Sequence, residues 1–537
     1  MGIPSYFSFI VKNHIAIIKQ FSPAHKVNHF YLDCNSIIYD AIHKVDWTEN
    51  VMKTSILLRW VINKIEEYIR IINPSDTIYI AFDGVAPVAK MEQQRGRRYK
   101  SWYQNNITRD IMPKDAKQKD VWNTSAITPG TLFMEDLNST MSEYFTKNHD
   151  KYGAKKVLVS SSEKEGEGEH KMFEYIRANS GDHLEKTSVI YGLDADLIML
   201  SINHLPICPN IFLFRETPHF IQSLNETLEP EETYLLDIPL LAKTITSNMN
   251  NGREMTTVQQ HNRIYDYILI CFMLGNDFLP HFPAINIRTG GIDKLLNAYK
   301  ATIGGTSHNL TDGKQIFWKH FRKFVEFLAK QEEEFLKNET KLRDRREKVF
   351  LPDDTPEMKL KKFDALPTYK RDTEKFINPY RIYWRNRYYT ALFNVNIENE
   401  ERAQQICVNY LEGLEWTMKY YTSGCCDWRW KYNYNYPPLL SDLYKYVPSF
   451  DTEYISYKPK NPVSPYVQLC YVLPKTSLHL LPTKIGSVIQ TKYGHLYDDN
   501  CNFKWSYCKY FWESHVDLPE ININELESII NEIETQE

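Results

Sequence analysis

Seven acidic side chains in the first 280 residues of the chain, Asp33, Asp83, Glu167, Glu169, Asp194, Asp196 and Asp277, fall into five short clusters, each bordering an apolar run. Residues 30–32 read as a buried strand ending at Asp33, and residues 77–82 as a second strand ending at Asp83. Residues 156–160 and 188–191 read as two more, the latter closing at Asp194, and 211–214 as a fifth. Between the first two, Leu57, Val61, Ile65, Tyr68, Ile69 and Ile72 recur at helical spacing. Strands alternating with helices imply an α/β fold, a mostly parallel twisted sheet flanked by helices. Such a sheet binds its ligand beyond the carboxyl ends of the strands, so acids far apart in sequence converge there.

Like charges brought together disfavour each other's ionised form, and a divalent cation removes that cost. Carboxylates without cysteine or histidine partners suit Mg²⁺, with Mn²⁺ as a substitute, rather than zinc. The set therefore reads as a two-metal phosphodiester-cleaving site. Singly, each cluster has a plainer explanation: the acids of 165–170 as helix-start residues, Asp33 and Asp83 as caps, 275–277 as a helix stop. Five such accidents at the same ends of one sheet are a poor alternative.

The segment after Asp83 adds a second constraint. Pro87 suits a first helical position, and Lys90, Gln94, Arg97 and Arg98 then share one face, spaced i, i+4, i+7 and i+8. Three cations and an amide on one face form a phosphate pocket. The formal net charge of −4 argues weakly against nucleic acid, but it hides this patch. Trp416, Trp428, Trp430, Tyr432, Tyr434 and Tyr436 form an aromatic set suited either to base stacking or to a core.

Nine cysteines without zinc-type spacing suit a reduced, intracellular protein, cytoplasmic rather than nuclear. No run reaches membrane-spanning length, and the apolar N-terminus lacks the basic region of a signal peptide. Three regions are expected: a nuclease-type α/β domain over 1–310, a long helix and linker over 311–375, and an aromatic-rich region over 376–537 that completes a substrate channel.

The stretches MGIPSYF, YLDCNSIIYD, FDGVAPVAKMEQQRGRRY, EGEGEHKMFEYI, GLDADLIMLS and GNDFLPHFP, followed by YLEGLEWTMKYYTSGCCDWRWKYNYNYPPLLSDL, resemble the 5′→3′ exoribonucleases of the Xrn family, within the flap-endonuclease/PIN-like superfamily. The resemblance implies that the seven acids hold two Mg²⁺ ions. It also implies that Lys90, Gln94, Arg97 and Arg98 receive a 5′-monophosphate, making the substrate single-stranded RNA with that end, degraded processively to nucleoside 5′-monophosphates. Tyr39 stands where the family usually has a base-stacking His, and its stacking partner is Trp428 or Trp430. A monomer is expected, and no protein partner is implied. The alternatives are a flap endonuclease acting on DNA, against which the basic helix and the aromatic region speak, and an inactive RNA-binding scaffold, against which the complete acid set speaks.

Overall fold

The computed structural model describes all residues except 1, 23–24, 45–52, 113–121, 217–232, 397, 498–500 and 536–537. Its centre is a seven-stranded sheet built from β1 (Ile18–Gln20), β2 (His29–Asp33), β3 (Thr77–Ala81), β4 (Lys156–Ser160), β5 (Ser188–Tyr191), β6 (Ile211–Glu216) and β7 (Thr233–Asp237), in the order β1-β7-β6-β5-β2-β3-β4. The five strands from β6 to β4 run parallel, while β7 and β1 close one edge antiparallel. The protein is thus α/β with a mostly parallel sheet flanked by helices. Both antiparallel edge strands escaped the sequence reading. β1 has only three residues, and β7 follows a stretch without strand periodicity.

Alternation along the strands divides the interior in two. Tyr31, Tyr79 and Ile190 face a core that continues into the C-terminal half of the chain. Phe30, Leu32, Ile78, Ile80, Val189 and Tyr191 face the other core, under helices Asn35–Lys44, Lys53–Ile72 and Leu132–Lys147. Sheets buried on both faces are apolar throughout their strands, as here.

Six helices carry the site: α1 (Val88–Ile111), α2 (Gly168–Ala178), α3 (Asp196–His204), α4 (Thr257–Cys271), α5 (Glu400–Thr422) and α6 (Pro465–Val472). Pro87 is the residue before α1, one place earlier than expected. α5 packs on the first of the two cores, so the aromatic region and the sheet share one interior.

Two expectations for 311–375 differ from the structure. The single long helix over 315–349 is two helices, Trp318–Ala329 and Glu332–Glu347. Glu332 at the break is buried and accepts the backbone N–H groups of Leu440 and Ser441, a tertiary demand that overrides local periodicity. The linker over 351–373 is folded into short helices, Pro356–Asp364 and Leu366–Tyr369. They end at a buried ion-pair network in which Glu374 accepts from both Arg343 (2.7 and 2.8 Å) and Arg371 (2.7 Å).

Candidate active site

The parallel register places the carboxyl ends of β2, β3 and β5 side by side, with Asp33 paired to Ala81 and Leu32 to Tyr191. The chain leaves β2 toward β3 and β4 on one side and returns through β5 on the other, so the switch in winding direction falls between β2 and β5. Asp33 and Asp194 flank that switch, where open α/β sheets form their crevice.

Asp83 is held by three hydrogen bonds. Asn35 Nδ2 donates to its Oδ2 (2.7 Å), Asn35 Oδ1 accepts from its backbone N–H (3.0 Å), and the first amide of α2, Gly168 N–H, donates to Oδ1 (2.6 Å). Glu167 precedes α2 in an extended conformation and makes no side-chain cap bond. No side chain caps α3 either. Glu167 and Asp196 therefore sit at helix starts without making a cap bond, whereas Asp83 does accept the first amide of α2. Asp277 is brought in by the turn that follows α4 and its 3₁₀ extension. Gly275 adopts φ +86°, and a Cβ there would lie 2.8 Å from His281, so only glycine permits the reversal. Gly2, at φ +56°, passes so close to Asp196 that a Cβ would lie 1.9 Å from Oδ1.

The acids repel one another as expected. Burial, then Asp83 and Asp194, push the Asp33 carboxyl well above its ordinary range. Burial, then Asp196 and Glu167, do the same to Glu169. Asp196 is pushed up to about 7 by burial and Asp277. Among the described residues, Lys90 of α1 stands among these acids. Lys90 Nζ pairs with Glu167 and, at 2.6 Å, with Asp277 Oδ2. Two further buried oxygens, Glu169 Oε2 and Asp196 Oδ1, have no hydrogen-bond partner among the described residues. Orphaned carboxylate oxygens among mutually repelling acids are what a divalent cation satisfies, so these residues fit such an ion. Glu167, Glu169 and His170 also present ligand atoms within 4.8 Å of one another. The sequence reading gave His170 no role, because periodicity places it simply in a helical run.

A cavity of about 310 Å³ is lined both by acids, Asp33, Asp83, Glu167, Glu169 and Asp194, and by Gln94, Arg97 and Arg98. Arg98 donates to Thr128 Oγ1 (2.5 Å), and burial brings its guanidinium down to about 10. Lys90 also lines this cavity, but its ammonium is turned to the acids. Tyr39, 37% exposed, is in the wall. Trp428 and Trp430 do not line it and are nearly buried. Trp430 stacks on Trp416 at 5.2 Å, and the Trp428 carbonyl accepts from Val88 N–H at the start of α1 (3.0 Å).

Helix α5 contributes what the motifs did not announce. Tyr420 donates to Glu167 Oε1 (2.9 Å) and stacks on His170 at 3.8 Å. The neighbouring Tyr421 phenol is pushed up by burial and by Asp196. Both tyrosines sit in the stretch KYYTSG and look like ordinary core aromatics, which hides them from pattern reading.

Residues 1–217 match the sequence profile described as XRN 5'-3' exonuclease N-terminus, and residues 257–375 and 368–536 match that of the Xrn1 helical domain. The chain is 26% identical to a 5'-3' exoribonuclease 1 of Schizosaccharomyces pombe, over 90% of this chain and 44% of that protein. It is 25% identical to a Drosophila melanogaster 5'-3' exoribonuclease 2 homolog, over 97% of this chain and 70% of the relative. It is 28% identical to the human 5'-3' exoribonuclease 1, over 90% of this chain and 31% of that protein. The chain thus spans less than half the length of these exoribonuclease 1 relatives.

Proposed function

Because the chain belongs to the XRN 5'-3' exonuclease family, we propose that it is a hydrolase that removes nucleoside 5′-monophosphates one at a time from the 5′ end of single-stranded RNA. The observation that carries this reading is one cavity lined by the acids and by Gln94, Arg97 and Arg98 together.

Asp33, Asp83, Glu167, Glu169, Asp194, Asp196 and Asp277 would hold the ions, Mg²⁺ with Mn²⁺ as a substitute. Two bound ions supply an activated water and stabilise the leaving oxygen. Arg97 and Arg98 hold the terminal phosphate, whose two negative charges suit a pair of guanidinium forks. Lys90, which lines the same cavity and pairs with Glu167 and Asp277, offsets carboxylate charge. Tyr39 offers a ring to the terminal base. Tyr420 orients Glu167, and Gly168 N–H with Asn35 orients Asp83. A pocket closed around a terminal monophosphate disfavours capped ends, and each cut makes a new 5′-phosphate that can re-enter, which favours processive action. The site lies within an intracellular protein, cytoplasmic on this reading, and acts without a membrane.

The test is product analysis with 5′-monophosphorylated RNA and Mg²⁺. Nucleoside 5′-monophosphates as the first products, absent with EDTA or in the Asp194→Ala/Asp196→Ala variant, support the reading. Oligonucleotides as the first products indicate internal cutting and overturn it. RNA bound but never cut favours the inactive scaffold.

A further inference from the structure

A second cavity, of about 620 Å³, adjoins the first. Arg97, Leu193 and Asp194 border both, and Asp277 lines the larger one. Its walls come from the N-terminal residues 2–7, the neighbouring face of α1, the turn after α4, and residues near 431–435 and 512–518. Among the described residues, six buried polar atoms of its lining side chains have no hydrogen-bond partner; one, Glu513 Oε1, is ion-paired with Arg288 (2.6 Å), and the other five are Gln93 Oε1, Arg215 Nε, Asn276 Nδ2, His281 Nε2 and Ser514 Oγ. Buried polar atoms are almost always paired, so five around one cavity mark a place that a polar ligand completes.

Two of these side chains are deeply buried, Arg215 at 9% and Ser514 at 1% exposed. Arg215 lies 3.7 Å over the ring of Phe7. The Asn276 amide has a defined orientation, because its Oδ1 accepts from the N–H groups of Phe278 (2.9 Å) and Leu279 (2.8 Å). Its Nδ2 is left to donate elsewhere. Burial brings His281 down to about 4, so its imidazole is neutral and can donate or accept.

The pattern of groups selects the ligand. Four neutral donors and acceptors match the edges of a nucleobase and a ribose, and one arginine matches one phosphate. Of the other cations in the wall, Arg97 is shared with the 5′-phosphate pocket and three more are engaged by neighbours. Arg288 pairs with Glu513 (2.6 Å), Lys431 with Glu92 (3.1 Å), and Lys100 donates to the carbonyls of Trp512 and Ser514 (2.8 Å each). A running strand would need a row of available cations along its backbone. The volume is that of a small-ligand site. We propose that this cavity is a product subsite that holds one released nucleoside 5′-monophosphate beside the catalytic acids. The inference rests on the exoribonuclease reading for the origin of its ligand.

The experiment is calorimetric titration of adenosine or uridine 5′-monophosphate into the whole protein in EDTA, so that no ion at the acids can hold the phosphate. Wild type should bind at two saturable sites, the 5′-phosphate pocket and this cavity, and the proposal concerns the second. Arg215→Leu should weaken binding at the second by about tenfold or more and Ser514→Ala by about threefold, as expected for a charged and a neutral hydrogen bond. Arg98→Leu, in the other cavity, should remove the first site and change binding at the second less than about twofold. Ser514→Ala removes one oxygen, and equal melting temperatures for it and wild type exclude a folding defect. Loss of all binding in Arg98→Leu with Arg215→Leu unaffected would place the nucleotide in the smaller cavity and overturn the proposal, as would absence of a second saturable site. Arg215-dependent binding in a protein that does not hydrolyse RNA would support the site and count against the function alone. RNA hydrolysis without such binding would do the reverse.

Discussion

Replacing Asp196 by asparagine should stabilise the metal-free protein by an amount that grows with pH. Burial and the adjacent Asp277 raise this carboxyl from its ordinary 3.8 to about 7. At pH values below 3.8 it is neutral in both the folded and unfolded chains, and nothing is lost. Between 3.8 and about 7 the unfolded chain ionises freely while the folded one keeps its proton, so stability falls as pH rises. Above about 7 the full cost is present, ~4 kcal/mol for a difference of this size. Asparagine keeps the shape beside Gly2 and removes the charge. Spread over the unfolding entropy of 537 residues, ~1 kcal/mol per degree, the gain is a melting temperature about 3–4 °C higher. Thermal unfolding followed by tryptophan fluorescence in EDTA should show that rise near about pH 8 and only about 1 °C near about pH 4.5. Mg²⁺ near neutral pH should raise the melting temperature of wild type more than that of the variant. A variant less stable than wild type by the same amount at both pH values would refute the reasoning.

Other perturbations test separate links. Gly2→Ala introduces a Cβ 1.9 Å from Asp196 Oδ1 at a positive φ, so turnover should fall by about 100-fold with unchanged circular dichroism, the scale of a displaced catalytic group. Tyr420→Phe removes the donor to Glu167 and should weaken Mn²⁺ binding about tenfold, read by titration against its paramagnetic resonance signal. Glu374→Ala leaves Arg343 and Arg371 buried without their shared carboxylate, and should cost about 3–5 kcal/mol in urea unfolding.

The legible parts of this chain were those where one residue carries both periodicity and chemistry. Asp33 ends β2, while Asp83 and Asp194 follow the ends of β3 and β5, so these acids were read together with their strands, and the parallel register sets the three strand ends side by side. Lys90 shows the limit. Its helical spacing places it correctly on the face with Gln94, Arg97 and Arg98, but a long side chain turns toward the strongest field, here Glu167 and Asp277. Tyr420 and Asn35 were illegible because their roles exist only through partners remote in sequence, 253 and 48 residues away. The break at Glu332 and the folding of 351–373 depend likewise on Leu440 and Glu374, contacts that no local window contains.

The most direct test of the account compares two RNAs of one sequence, labelled at the 3′ end and bearing either a 5′-monophosphate or a 5′-hydroxyl, in Mg²⁺. The phosphate pocket predicts that the monophosphorylated RNA is consumed at least about 100-fold faster, the value of two charge-assisted contacts, and that Arg98→Leu erases the preference. Equal rates on the two ends, with Arg98→Leu indistinguishable from wild type, would contradict it.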